Sequence, residues 1–451
     1  MSKKIDKSKL LFSNKALLLL IVPLIMEQIL AVIIGMTDSA VVSRVGESAV
    51  SGVSLVDQIM ILMIQVFAAL ATGGAVIAGQ YLGQKNRERA SEAATQLLYF
   101  IGAASLVITI ILYLLQGVIL KYVFGQITPE VMNHAKTYYM IVSASIPFIA
   151  IYSGGAAIFR AMGNSKVTMN ISILMNIINI VGDLSLVLVF KLGVAGVGIP
   201  TLLSRALGAI IIVILLLNEK REVHIARTFK IRFNWRMIKS ILRIGVPNGL
   251  ENSMFQLGKI LVLSLIATFG TSAITANAVS NVIGTFQTLP GLAIGLGMVA
   301  VISQCVGAGD YEQAKYYNKK LLSMSFLSIT IMAILTNLSM PLFMKVYSLT
   351  EQTMRTTKEI IFFHSIFSAL IWSLAFVLPA TFRAAGDVKA TMYISIFSMW
   401  VFRIGCSYLI GKYLNVGVLG VWFAMFIDWL FRSICFVIRY LKGSWIGKMV
   451  V

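Results

Sequence analysis

Asn176-Ile177-Ile178-Asn179-Ile180-Val181-Gly182-Asp183 is the stretch whose reading decides the fold. It belongs to an apolar run of about 20 residues, the length that crosses a bilayer as a helix, yet it carries a carboxylate and two amides near its middle. Removing a lone carboxylate from water costs several kcal/mol, so Asp183 must hold a proton, bind a cation or face a wet space among other helices. Asn179 and Asp183 are four apart, which sets both on one helical face. The pattern predicts an ion or proton site inside a membrane-spanning bundle.

The whole chain fits that setting. Of its 451 residues 58% are hydrophobic and 12% charged, about half the charged share of a soluble domain. A net charge of +20 would suggest nucleic acid in a soluble protein, but the cations fall between apolar spans, so no nucleic-acid partner is expected. Cys305, Cys406 and Cys435 lie in or beside apolar stretches without pairing or metal spacing and read as core residues. Residues 1–15 are Lys-rich and lead into an apolar stretch without a small-residue cleavage site, so the first span is expected to stay attached.

Apolar stretches bounded by charge, Gly or Pro give twelve helices, starting near Ala16, Val53, Ala93, His134, Thr168, Gly193, Lys239, Asn277, Tyr316, Thr356, Thr391 and Gly417. The longest polar segment divides them into two sets of six: a lobe over 1–217, a linker over 218–238 and a second lobe over 239–451. An even number of spans puts both termini on one side. That side collects 26 Lys and Arg, among them Lys3, Lys4, Lys7, Lys9, Arg227 and Lys230, against eight opposite, such as Arg44, Lys121, Lys191 and Lys412. The excess predicts cytoplasmic termini and a cytoplasmic linker in an inner-membrane protein, with membrane lipids as partners.

The halves repeat. Val22-Pro23 with Glu27 returns as Val246-Pro247 with Glu251, and Gln80-x-x-Gly83 with Ala90 as Gln304-x-x-Gly307 with Ala314, all at an offset of 224. Phe159-Arg160-Ala161-x-Gly163 returns as Phe382-Arg383-Ala384-x-Gly386 at 223, and Gly193-Val194-x-Gly196-Val197 as Gly417-Val418-x-Gly420-Val421. Six spans per half preserve orientation, so the expected fold is an all-α membrane protein of twelve transmembrane helices in two parallel six-helix repeats around a central cavity.

These motifs together resemble the multidrug and toxic compound extrusion (MATE) transporters: the segment from Pro23 to Gly46 with Asp38, Gly79-Gln80-Tyr81-Leu82-Gly83, Phe159-Arg160-Ala161-Met162-Gly163-Asn164, and Asn176-x-x-Asn179-x-x-x-Asp183. The resemblance covers nearly the whole chain and is nearest the DinF-like branch. It implies a proton or sodium site in the amino-terminal lobe at Asp38, Asn179, Asp183 and Thr201. The NorM-like branch emphasises acids of the second half. Here Glu251 is present, but residues 365–381 of the tenth helix hold no Asp or Glu.

Read on their own, five carboxylates lie well inside spans: Glu27, Asp38, Asp183, Glu251 and Asp428. Asp38 and Asp183 have the apolar repeat counterparts Val262 and Cys406, so the fold does not need them as acids. Two close carboxylates disfavour double ionisation, and with Asn179 and Thr201 they offer the hard oxygen ligands a small cation prefers. The repeat-related Glu27 and Glu251 suit either a second acidic site for cationic substrates or helix packing. Asp428 and Arg432, four apart, suit an intrahelical pair. Lys259, Arg205 and Arg403 are in-span cations; a cavity-facing Lys259 would favour anionic substrates. Met36, Met175, Asn176, Met254 and Phe255 are candidates for a soft substrate cavity. His134 and His364 read as interfacial.

No nucleotide-binding loop or zinc spacing appears, so neither an enzyme nor a cofactor is expected. The expected function is a monomeric secondary antiporter exporting amphipathic, cationic small organic compounds in exchange for protons or sodium ions. A lipid-linked precursor flippase of the same superfamily would call for a more cationic cavity and often extra spans. A receptor or scaffold would leave the duplicated lobes and intramembrane acids unexplained.

Overall fold

The computed structural model describes residues 10–123, 125, 127–226, 232–347 and 349–451, with the side chains of 122, 123, 346 and 347 left aside. Lys3, Lys4, Lys7, Lys9, Arg227 and Lys230 lie outside the described residues. Eleven helices are long and apolar enough to cross a membrane, and a pair of helices bent by 46° supplies a twelfth span. In chain order they are Asn14–Val42, Glu47–Gly83, Arg87–Leu114, the pair Pro129–Ser143 with Ile146–Ala161, Ser165–Val189, Ala195–Leu216, Trp235–Ala267, Thr271–Gly307, Tyr311–Leu338, Glu351–Ala385, Val388–Tyr413 and Val418–Leu441. They form two six-helix repeats, and no strand occurs among the described residues. Residues 12–249 and 250–450 form two compact units, the break falling inside the seventh helix.

Most helices begin a few residues before the apolar pattern does, because their first turns are polar and are set by caps rather than by burial. Asn86 caps the third helix by accepting from Arg89 N at 3.0 Å, and Asp310, 224 residues on, caps the ninth from Gln313 N at 2.9 Å. Thr128 and Thr350 do the same for the fourth and tenth, each at 3.4 Å. Each cap satisfies one backbone donor that a helix start leaves open. The duplicated Phe-Arg-Ala turn likewise ends at Gly163 and Gly386, at φ 75° and 91°, a left-handed conformation open to glycine without strain.

Two local features shape the amino-terminal unit. The fourth span breaks at Ser145 because Pro147, in the first turn of its second piece, has no N–H to continue the ladder. The fifth helix widens to five-residue spacing over Leu184–Val189, immediately after Asp183.

His364 does not open its span and is not exposed. The tenth helix starts at Glu351, so His364 is more than three turns in, buried, 2.6 Å from Gln287 Oε1 through Nδ1 and packed against Trp422 and Trp429.

Candidate cation site in the amino-terminal lobe

The site forms where the fifth and sixth helices touch. A Cβ on Gly182 would lie 2.6 Å from Pro200 Cβ, and one on Gly208 would strike the sulfur of Met175. Small residues at these points let the backbones approach closely. Asp183 follows Gly182 and Thr201 follows Pro200, so the same contact brings the polar residues together: Asn179 Nδ2 donates to Thr201 Oγ1 at 3.2 Å. Thr201 spends its own proton on Val197 O at 2.9 Å. Asp183 is 0% exposed and Asn179 2%.

Asp38, near the end of the first helix, completes the group, its carboxyl close enough to that of Asp183 for the two to act on each other electrostatically. Thus the structure brings all four predicted residues, from three helices, to one place. Asp38 Oδ1, Asn176 Oδ1, Asn179 Oδ1 and both oxygens of Asp183 are buried and accept no hydrogen bond. Every one of these atoms is an acceptor. Orphaned buried acceptors are costly unless something positive meets them, and an all-oxygen set suits a proton or a small hard cation.

A second layer was not legible in the sequence. Asp57, on the second helix, is a sixth in-span carboxylate: the apolar pattern starts that span near Val53, which leaves Asp57 looking terminal, whereas the helix begins at Glu47. Its Oδ1 accepts from Tyr138 OH at 3.1 Å. Arg205, one turn beyond Thr201, acts electrostatically on both Asp38 and Asp57 and donates to Ser145 Oγ at 2.8 Å, at the break in the fourth span. The signal that could have found Asp57 is its repeat counterpart, the uncharged Asn281. Three acids to one Arg let the surroundings of the orphaned oxygens carry excess negative charge when no proton or cation is bound.

Glu27 and Glu251 lie elsewhere, each against the Arg of its own Phe-Arg-Ala motif. Glu27 is 3.5 Å from Arg160 and accepts from Thr168 Oγ1 at 2.9 Å, and Glu251 is 2.9 Å from Arg383. Among the cavity candidates, Met175 is buried against Gly208, whereas Met36 is 52% exposed. Met254 is half-buried, and Phe255 lies under the cations of the second lobe, Lys259 among them. Asp428 is bound by Arg432 Nε at 3.0 Å.

The MatE family model matches residues 23–185 and again 247–409, two segments that start 224 residues apart. The chain is similar to "Uncharacterized transporter YisQ" of Bacillus subtilis, at 28% identity over 99% of this chain and 97% of that protein. It is also similar to "Probable multidrug resistance protein NorM" of Thermotoga maritima, at 24% over 97% and 94%. Among solved structures, the outward-facing conformation of a multidrug resistance MATE family transporter of the MOP superfamily matches with a TM-score of 0.89 at 20% identity, over 96% of this chain and 97% of that one. A MATE structure in the bent conformation matches at 0.86, over 96% and 94%.

Proposed function

Since the chain belongs to the MatE family of membrane transporters, which are not enzymes, we propose that it is a secondary multidrug antiporter. It exports amphipathic organic compounds in exchange for protons or sodium ions at Asp38, Asn179, Asp183 and Thr201. The observation that carries this reading is the buried group of acceptor-only oxygens on the first and fifth helices. The multidrug resistance names of relatives matched along almost their whole length support the cargo class.

Both termini and the 218–238 linker lie on the cytoplasmic side, by the Lys and Arg excess there, with 1–217 and 239–451 as the lobes of a monomer. A coupling cation arriving from outside neutralises the Asp38 and Asp183 pair. A cationic cargo competes for that same negative charge, so it binds the ion-free form better and leaves as the ion binds. That difference in affinity is what linkage requires for exchange. Glu27 and Glu251, already paired with arginines, hold helices together rather than attract cargo, and Met36 and Met254 contribute soft contacts to it.

The test is efflux from proteoliposomes with a proton or a sodium gradient imposed one at a time. Asp38→Asn and Asp183→Asn each abolish gradient-driven efflux of a cationic dye while the protein stays monodisperse. Full efflux in both variants rejects the site, and the gradient that drives the wild type identifies the ion.

A further inference from the structure

The carboxy-terminal lobe carries the opposite polarity. Three cations converge on one ring: Lys259 Nζ, Arg432 Cζ and Arg403 Cζ lie 5.1, 5.2 and 5.8 Å from the centre of Phe255. A single carboxylate answers them. Asp428, 0% exposed, accepts from Arg432 Nε at 3.0 Å and from Ser398 Oγ, and its other oxygen is 3.9 Å from Arg403 Nη1. Arg432 is held on both sides, since its Nη2 also donates to Ser395 O at 3.1 Å. Arg403 has an unused donor: its buried Nε has no acceptor. Lys259 has no carboxylate within 4.0 Å among the described residues. The group therefore holds two positive charges in excess.

Aromatic surfaces surround these charges. Phe376 meets Phe255 edge-on at 6.3 Å and lies 5.4 Å below Arg432, with Trp372 stacked on it and Trp429 against it at 5.9 Å. Trp429 is 4% exposed, and its Nε1 is a buried donor without an acceptor. Rings facing the largely buried Arg403 and Arg432 lower the cost of burying them but do not neutralise them, and Lys259 beside them is exposed. The fold does not require the arrangement either: the repeat counterparts of Lys259, Arg403 and Arg432 are Gly35, Ile180 and Gly208. Unused donors, excess positive charge and flat apolar walls are together the complement of an organic anion attached to a ring or chain.

We propose that this cluster binds the anionic group of an amphipathic organic anion, such as an aromatic carboxylate or sulfonate. Lys259 and Arg403 supply the ion pair, while Phe255 and Phe376 pack on the apolar body. Treating that anion as cargo rests on the exporter reading; the site itself does not. The same chemistry could be met by an exported compound or by an anionic lipid headgroup.

The probe is radiolabelled 1-naphthalenesulfonate, with uncharged 1-naphthalenemethanol as its control, bound at equilibrium to the full-length protein in a neutral detergent. The expected result is saturable sulfonate binding about tenfold or more tighter than the alcohol, weakened by a similar factor in Lys259→Met and Arg403→Gln and retained in Lys259→Arg. Equal binding of sulfonate and alcohol by the wild type overturns the proposal without any variant having to fold. So does unchanged sulfonate affinity in a monodisperse Lys259→Met. Phosphatidylglycerol that displaces the sulfonate in a Lys259-dependent way upholds the site with lipid as occupant, and failure to displace it upholds the site with cargo as occupant. Because no gradient is present, loss of dye efflux and loss of sulfonate binding are separate results: the first rejects the exporter reading, the second this one.

Discussion

Arg160 lies 3.5 Å from Glu27 across 133 residues of chain, and the second half repeats the contact between Arg383 and Glu251 at 2.9 Å. The arginine comes from the turn that ends the fourth span of each half, and the acid follows a proline in the first. Both partners are largely buried, with side-chain exposures of 18% and 7% in the second pair. Breaking one partner leaves the other charge uncompensated in low dielectric. Glu251→Gln should therefore destabilise the protein by about 3 kcal/mol, and Glu251→Gln with Arg383→Gln should recover much of the loss. A double-mutant cycle on unfolding in mixed micelles of sodium dodecyl sulfate measures the coupling. Additive losses would show the pair to be electrostatically idle.

Gly182 offers a sharper handle on the site, because a substitution there works through packing and changes none of the ligand residues. Alanine there puts a Cβ 2.6 Å from Pro200 Cβ and 2.7 Å from its Cγ, next to Asp183 and Thr201. Pro200 cannot yield by rotating a side chain, so the two helices must separate. The expected cost is about 1–3 kcal/mol in stability. The Asn179 to Thr201 bond should lengthen with it, and gradient-driven efflux should fall to a small fraction of wild type. Efflux assays on Gly182→Ala and on the exposed Gly117→Ala, whose Cβ meets nothing within 4 Å, separate this effect from a generic glycine substitution.

Asp183 announced itself because a carboxylate in an apolar run has no inexpensive explanation, and the repeat made Asp38 stand out by giving it an apolar twin, Val262. The twelve spans followed from run length and the two halves from a constant offset. Asp57 stayed hidden since its helix starts at Glu47, where a glutamate and two serines mask the apolar pattern that defines a span. Arg205 was visible as an in-span cation but not its role, which depends on a break in another helix at Ser145. His364 misled for the same reason as Asp57: polar first turns are held by caps, so hydropathy places the start of the helix too late. The cationic ring cluster was beyond reach, because Phe255, Arg403 and Arg432 come from three helices and only packing sets them over one another.

Asp57 can be weighed by separating its charge from its hydrogen bond. Asp57→Asn keeps an oxygen for Tyr138 OH, now 3.1 Å away, but removes one negative charge and leaves Arg205 less balanced near Asp38. Both changes make the site more positive. The sodium or proton concentration giving half-maximal efflux should rise about three- to tenfold. Tyr138→Phe, which leaves the charge and deletes the hydrogen bond, should shift it much less. Equal effects from the two substitutions would mean that Asp57 matters for packing alone.

Protons and sodium ions should compete at the Asp38 and Asp183 pair, and the sign follows from its charge. With both carboxylates ionised the pair carries two negative charges and holds sodium best. Each proton bound removes one of them, so sodium affinity falls as pH falls. Where exchange is one proton for one sodium ion, the apparent Kd rises by about tenfold per pH unit on the acid side and becomes flat once the pair is fully ionised. Equilibrium binding of radioactive sodium to the purified protein across pH measures this directly. Asp183→Asn should lose most of the affinity, since one of the two negative charges that hold sodium is gone. If the wild type binds no sodium at any pH yet still extrudes dye along a proton gradient, the same oxygens serve the proton alone.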